Sequence, residues 1–149
     1  MPRKNINRTP PCATTTTQEY NMATTEQPPT PPGTAPPDMR HVTVAQGRSW
    51  PLPPGNLAAP VLGHGTLLVE YYAPRGSDPQ QPHTRDELYV VIAGSGHFVT
   101  GTENGGVRHP FGSGDVIFVP AGVVHHFEDF TDDFATWVVF YGPEGGEPA

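Results

Sequence analysis

The sequence predicts an all-β fold, a small barrel or sandwich. Short runs rich in Val, Ile, Phe, Tyr and Thr recur at close spacing from Gly65 to Tyr141. Turn signals built on Gly, Pro, Asn and Asp separate them. No segment sustains a 3.6-residue apolar period over about ten residues, so no long helix is expected. Six or more such strands in about 85 residues fit a small closed or two-sheet β architecture.

The elements follow in chain order. Residues 1–40 hold nine prolines and nine threonines and no apolar run. Such a segment cannot bury enough apolar surface to offset its ordering entropy, so it reads as a disordered tail. Met22 and Met39 offer alternative starts within or at the end of it. Residues 41–60 read as an N-terminal arm. Its His41-Val-Thr-Val44 alternates like a short strand, and Pro51–Pro60 is turn-rich and suited to lie across a surface. The barrel is expected over 61–142, with strands at Gly65–Tyr72, Glu87–Ile92, Gly96–Thr100, Asp115–Val119, Val123–Phe127 and Ala135–Tyr141. Asn104-Gly105 suits a hairpin turn that needs φ > 0. Residues 143–149 read as a flexible tail.

Composition narrows the function. Residues 41–149 carry four arginines (Arg48, Arg75, Arg85, Arg108) against twelve acids, and the only lysine is Lys4. An acidic domain without a basic stripe disfavours nucleic acid and anionic membrane as partners. The lack of a lysine in the folded part excludes Schiff-base chemistry there. The single cysteine, Cys12, permits no intrachain disulfide or Cys-based metal site, which suits a reducing cytoplasm. The first residues are basic but lack an apolar h-region, so no secretory signal is expected. No apolar stretch approaches the ~20 residues of a membrane span.

Two segments carry chemistry. One is Gln81-Pro-His83-Thr-Arg-Asp-Glu87-Leu-Tyr89 through Gly94; the other runs from Gly114 through Pro120-Ala-Gly122 to His125-His126-Phe127. Read as strand, the first would turn Gln81, His83 and Glu87 to one side. If the two segments face each other across a barrel, His83, Glu87 and His125 converge. Two imidazoles and a carboxylate suit Fe(II), Mn(II), Ni(II), Co(II) or Zn(II), with positions left open for a substrate.

These segments resemble the two motifs of the cupin family, G-x5-H-x-H-x3/4-E-x6-G and G-x5-P-x-G-x2-H-x3-N. His83-x3-Glu87-x6-Gly94 follows the first, and Gly114-x5-Pro120-x-Gly122-x2-His125 follows the second. Together they cover most of residues 76–129, with a 19-residue stretch between Gly94 and Gly114. The resemblance implies a double-stranded β-helix, the jelly-roll barrel, with a divalent metal held by His83, Glu87 and His125. Three positions depart from the pattern. Gln81 replaces the first histidine, Gly76 sits one residue too close, and Asp129 replaces the asparagine. Gln81 is expected as a weaker, neutral fourth ligand favouring harder ions, or as a group facing the substrate.

The remaining polar residues are read more plainly. Tyr72 and Tyr89 are strand phenols that could move protons in a cavity. His126 is expected at the surface and His64 near the barrel mouth. His97 and His109 are expected in solvent, and Asp86 competes with Glu87 for the ligand role. The acidic turn Glu128–Asp133 is expected to be solvated. Phe118, Phe127, Trp137, Phe140 and Tyr141 read as core or dimer face, and open sheet edges favour a homodimer. The functional expectation is a metal-dependent enzyme acting on a small molecule, dioxygenase-like or isomerase/lyase-like. The alternative is a non-catalytic binding or structural barrel.

Overall fold

The computed structural model describes residues 41–102 and 105–148. The Pro/Thr-rich segment 1–40, with Cys12, and the residue Asn104 of the expected hairpin turn lie outside the described residues.

Among the described residues eight strands form two sheets. They are β1 (Ala58–His64), β2 (Leu67–Tyr72), β3 (Asp86–Ala93), β4 (Ser95–Thr100), β5 (Val107–Gly112), β6 (Val116–Val119), β7 (His125–Glu128) and β8 (Ala135–Tyr141). A five-stranded sheet has the order β1-β2-β8-β3-β6, and a three-stranded sheet the order β5-β4-β7. All the pairings are antiparallel. The chain therefore crosses between sheets as a double-stranded β-helix does. Among the described residues no helix is long and apolar enough to cross a membrane.

Strand alternation divides the apolar residues between two cores. On β8, Val138 and Phe140 face the space between the sheets, while Ala135 and Trp137 face outward. On β3, Tyr89 and Val91 face inward and Ile92 outward. The inner core is aromatic: Phe127 sits with ring centroids 4.8–5.3 Å from Phe134, Tyr89, Phe111 and Phe98. The outer cluster of Ala59, Val61, Tyr71, Ala135 and Trp137 is joined by Val42, Val44 and Trp50 of the N-terminal arm.

That arm departs from the expectation for His41–Val44. Instead of a strand, the chain forms a short helix, α1 (Val44–Ser49). Thr43 and Gln46 make a capping box: the Gln46 amide N–H donates to Thr43 Oγ1 at 3.2 Å, and the Thr43 N–H donates to Gln46 Oε1 at 2.8 Å. This satisfies backbone donors that a helix N-terminus otherwise leaves free. Gly47 lets the helix approach the sheet, since a Cβ there would stand 2.7 Å from Trp137 Cη2.

Two strands lie where the sequence suggested none. β1 contains Pro60 and β5 contains Pro110. Each is the outermost strand of its sheet, where a missing N–H is tolerated.

Two turns fix the motif segments. Gly94 joins β3 to β4 at φ +84°, and a Cβ there would lie 2.6 Å from Phe134 Cα. Asp129, at the position where the family pattern has asparagine, has φ +50°. Asp and Asn are the non-glycine residues that best tolerate this left-handed region, so the exchange keeps the turn.

Removing the ring at the centre of the inner core tests this packing. Phe127→Ala is expected to cost about 3–5 kcal/mol, read as a lowered urea midpoint with an unchanged slope.

Candidate metal centre

The two motif segments are stitched together at the backbone. The Gly122 N–H donates to His83 O at 2.7 Å, and the Ala121 N–H donates to Asp86 Oδ1 at 2.9 Å. The chain end joins the same region, with the Gly145 N–H on Thr84 O at 2.6 Å and the Glu147 N–H on Asp86 Oδ2 at 2.9 Å. Asp86 thus faces away from Glu87 and serves two backbone donors, and it does not compete for the ligand role. Those hydrogen bonds hold its carboxyl below the usual carboxylate range.

His83 does not lie on a strand. β3 begins at Asp86, and Pro79 and Pro82 lack the N–H groups that a ladder through this segment would need. The expected alternation from Gln81 to His83 therefore does not hold. Gln81 is exposed at the cavity mouth, and its amide nitrogen lies 3.4 Å from Pro79 O. Among the described residues it makes no hydrogen bond to His83, Glu87 or His125.

Those three residues do converge. His83 Nδ1 lies 2.8 Å from Glu87 Oε2, and His125 Nε2 lies 3.1 Å from the same oxygen. One ligand atom from each lies within 4.8 Å of the others. Two donors at right angles about an ion ~2.1 Å away would stand ~3.0 Å apart, so these edges fit one first-row ion. Glu87 and His125 are 1 % and 2 % exposed. Despite the short distances, His83 Nδ1 and both Glu87 oxygens are buried without a hydrogen-bond partner of acceptable geometry. A buried carboxylate left in that condition is costly unless a cation completes it. The residues present therefore fit a metal ion.

The supporting contacts set the ligand atoms. His125 Nδ1 lies 2.8 Å from Val123 O. A carbonyl only accepts, so Nδ1 carries the proton and Nε2 of the neutral ring presents its lone pair to the site. The His83 ring packs 4.9 Å from Phe140 and 5.5 Å from the His125 ring. Burial pushes the Glu87 carboxyl up, but its contacts with His125 and His83 outweigh this and hold it below the ordinary value. Burial likewise lowers His125, yet Glu87 and Val123 O raise it overall.

Behind the cluster runs a polar chain that sequence reasoning missed. The Tyr89 hydroxyl lies 2.9 Å from His125 Nε2 and 2.8 Å from Gln80 Oε1. Gln80 Nε2 donates to Asp78 Oδ2 at 2.7 Å, and Asp78 also accepts from the Tyr72 hydroxyl at 2.5 Å and the Phe127 N–H at 2.8 Å. Of the two tyrosines expected at the site, Tyr89 reaches the ligand cluster and Tyr72 binds Asp78. Glu70 was also overlooked. It lines the cavity, and burial raises its carboxyl against the opposing pull of His83. Its signal lay in the period-two set Leu68, Glu70, Tyr72.

A cavity of about 330 Å³ opens onto His83 and Glu87 and is walled by Leu57, Glu70, Tyr72, Gln80, Val138 and Phe140. The other histidines lie elsewhere. His64 is exposed at the end of β1, and His109 is exposed on β5. His126 faces away from the core and pairs with Glu128 at 2.8 Å. The acidic turn is not simply solvated: Arg108 pairs with Glu128 and with Asp129.

Comparison with known proteins agrees with this architecture. Residues 68–141 match the family described as a cupin domain. An uncharacterized protein of Streptomyces coelicolor is 40 % identical over 68 residues, covering 46 % of this chain and 61 % of that one. An acireductone dioxygenase of Drosophila melanogaster is 38 % identical over 53 residues, covering 35 % of this chain and 28 % of that one. The matched stretch thus spans less than two thirds of either relative. A crystal structure from Bacillus halodurans shares the fold at a TM-score of 0.57 and 15 % identity, covering 72 % of this chain and 84 % of that one. The barrel of this chain belongs to the cupin family.

The Glu87–His125 pair makes metal-free stability depend on pH. Glu87, held low, contributes above its unfolded value near 4.5 and loses this as pH falls through its folded value. His125, held high, contributes below 6.5 and loses this as pH rises through its folded value. In chelator, the stability of the parent relative to Glu87→Gln should therefore peak between the two transitions and fall on either side. Urea denaturation across pH measures it; a flat difference would mean that the pair is not formed.

Proposed function

We propose that this chain is a metal-dependent cupin enzyme that binds one divalent transition metal on His83, Glu87 and His125. It acts on a small, oxygen-bearing molecule in the adjoining cavity. The observation that carries this reading is the buried Glu87 carboxylate, facing two imidazoles without a hydrogen-bond partner, beside that cavity. A bound ion would supply Lewis acidity to substrate oxygens or, if iron, oxygen chemistry.

The chain's own residues have separable tasks. His83, Glu87 and His125 hold the ion, and Val123 O orients the His125 ring. Leu57, Val138 and Phe140 give the cavity apolar walls that limit water around the reacting atoms. Glu70, on the same wall, is placed to accept a proton from a bound substrate. The likeness to an acireductone dioxygenase supports a dioxygenase-like reaction ahead of an isomerase or lyase. The homodimer belongs to the same proposal: Val116 and Phe118, 61 % and 52 % exposed on edge strand β6, form the apolar surface that a second copy would cover.

Metal analysis by inductively coupled plasma mass spectrometry should find about one equivalent in the parent after anaerobic reconstitution, and none in a His83→Ala, His125→Ala double variant. An empty parent would turn the reading to a barrel that binds small molecules without metal. Protons compete with metal for imidazole, and His125 is raised above its ordinary 6.5, so affinity should start to fall above that pH and continue below it. Isothermal titration at stepped pH checks the sign.

A further inference from the structure

The two imidazoles of the site come from different parts of the fold. His83 sits in the irregular segment before β3, and His125 opens β7 of the other sheet. We propose that Asp78 is a positioning residue for the metal centre: it clamps the loop that carries His83 to the strand that carries His125. The inference rests on the metal-binding reading above.

The hydrogen bonds of Asp78 reach three pieces of chain. Its Oδ2 accepts the Phe127 N–H at 2.8 Å, two residues beyond His125 on β7. β7 is the outermost strand of its sheet, so this N–H on the free edge takes its acceptor from outside the ladder. On the His83 side, the carboxylate accepts the Gln80 backbone N–H at 3.3 Å and the Gln80 side-chain amide at 2.7 Å. Its Oδ1 also accepts the Tyr72 hydroxyl at 2.5 Å, at the end of β2. One half-buried side chain thus joins β2 of one sheet, β7 of the other, and the loop between β2 and β3. The donors that reach the loop and β7, two backbone N–H groups and one amide, keep their hydrogens at every working pH.

The clamp complements the tie between the Gly122 N–H and His83 O at 2.7 Å. A single hydrogen bond leaves the loop free to pivot about that point. Asp78 supplies a second fixed point, five residues earlier. Between Asp78 and His83, Pro79 and Pro82 fix φ at about −65° and stiffen the link. The His83 and His125 rings are thereby held 5.5 Å apart before any ion arrives.

Co(II) is the probe, because its visible d–d bands report coordination geometry as well as occupancy. The full-length parent should bind about one equivalent. Asp78→Ala should weaken Co(II) binding about 10–100-fold and change the band pattern. Asp78→Asn should recover most of both, because its amide oxygen can still face the Phe127 N–H while its NH2 group turns to Tyr72 Oη. Val99→Ala, on the face of β4 turned away from the site, should lower the urea midpoint and leave affinity and bands unmoved. If Asp78→Ala loses only stability, as Val99→Ala does, the residue is structural and the inference falls. If Asp78→Asn binds as weakly as Asp78→Ala, charge rather than the clamp carries the effect, and the inference falls too. Should Asp78→Ala fail to fold, Pro79→Gly decides: it keeps every bond of the clamp and loosens only the link to His83. It should weaken Co(II) binding about 2–5-fold, and parent affinity there would reject the role. A parent that binds neither Co(II) nor another divalent metal overturns the metal-binding reading and the role of Asp78 together.

Discussion

The burial of one carboxylate sets the terms for the rest of this protein. Glu87 is 1 % exposed, inside a barrel otherwise lined with aromatic rings, and no hydrogen-bond donor meets it with good geometry. A group in that condition opposes folding unless positive charge is brought to it. Much of the architecture does this. The loop carrying His83 is tied to the turn at Gly122, β7 carries His125 in, and Val123 O fixes which nitrogen faces the carboxylate. A local cost of this kind is typical of a functional site on an otherwise consistent scaffold.

The strands that alternate cleanly were legible in the sequence. β2, β3, β4, β6, β7 and β8 each overlap a run rich in Val, Ile, Phe, Tyr or Thr, and the motif spacing brought His83, Glu87 and His125 into view together. β1 and β5 escaped notice because Pro60 and Pro110 read as loop. Proline is tolerated at a sheet edge, and sequence alone does not reveal which strands are edges. The α1 helix was hidden because His41–Val44 alternates as a strand does, while its helical signal is confined to the capping pair Thr43 and Gln46.

The site was legible to the depth of its motifs and no further. Gln81 drew attention because it stands where the family pattern has histidine. Its neighbour Gln80 is the residue that turns inward, because the segment between Pro79 and Pro82 does not follow strand periodicity. Asp78 and Glu70 belong to no motif, and only the folded chain brings them to the cavity. Periodicity ranks residues along an element; in an irregular loop it has nothing to rank.

Asp86 and Glu87 are adjacent carboxylates with opposite duties. One anchors the chain end and the second-motif turn outside the barrel, and the other faces the imidazoles inside. β3 is thereby indexed from both faces, and a slip of a single residue would exchange the two acids and lose both functions together. Two neighbouring side chains of one chemical type thus act as a registration mark. Insertions or deletions between His83 and Glu87 should be far rarer in functional variants of this chain than substitutions at the positions between them.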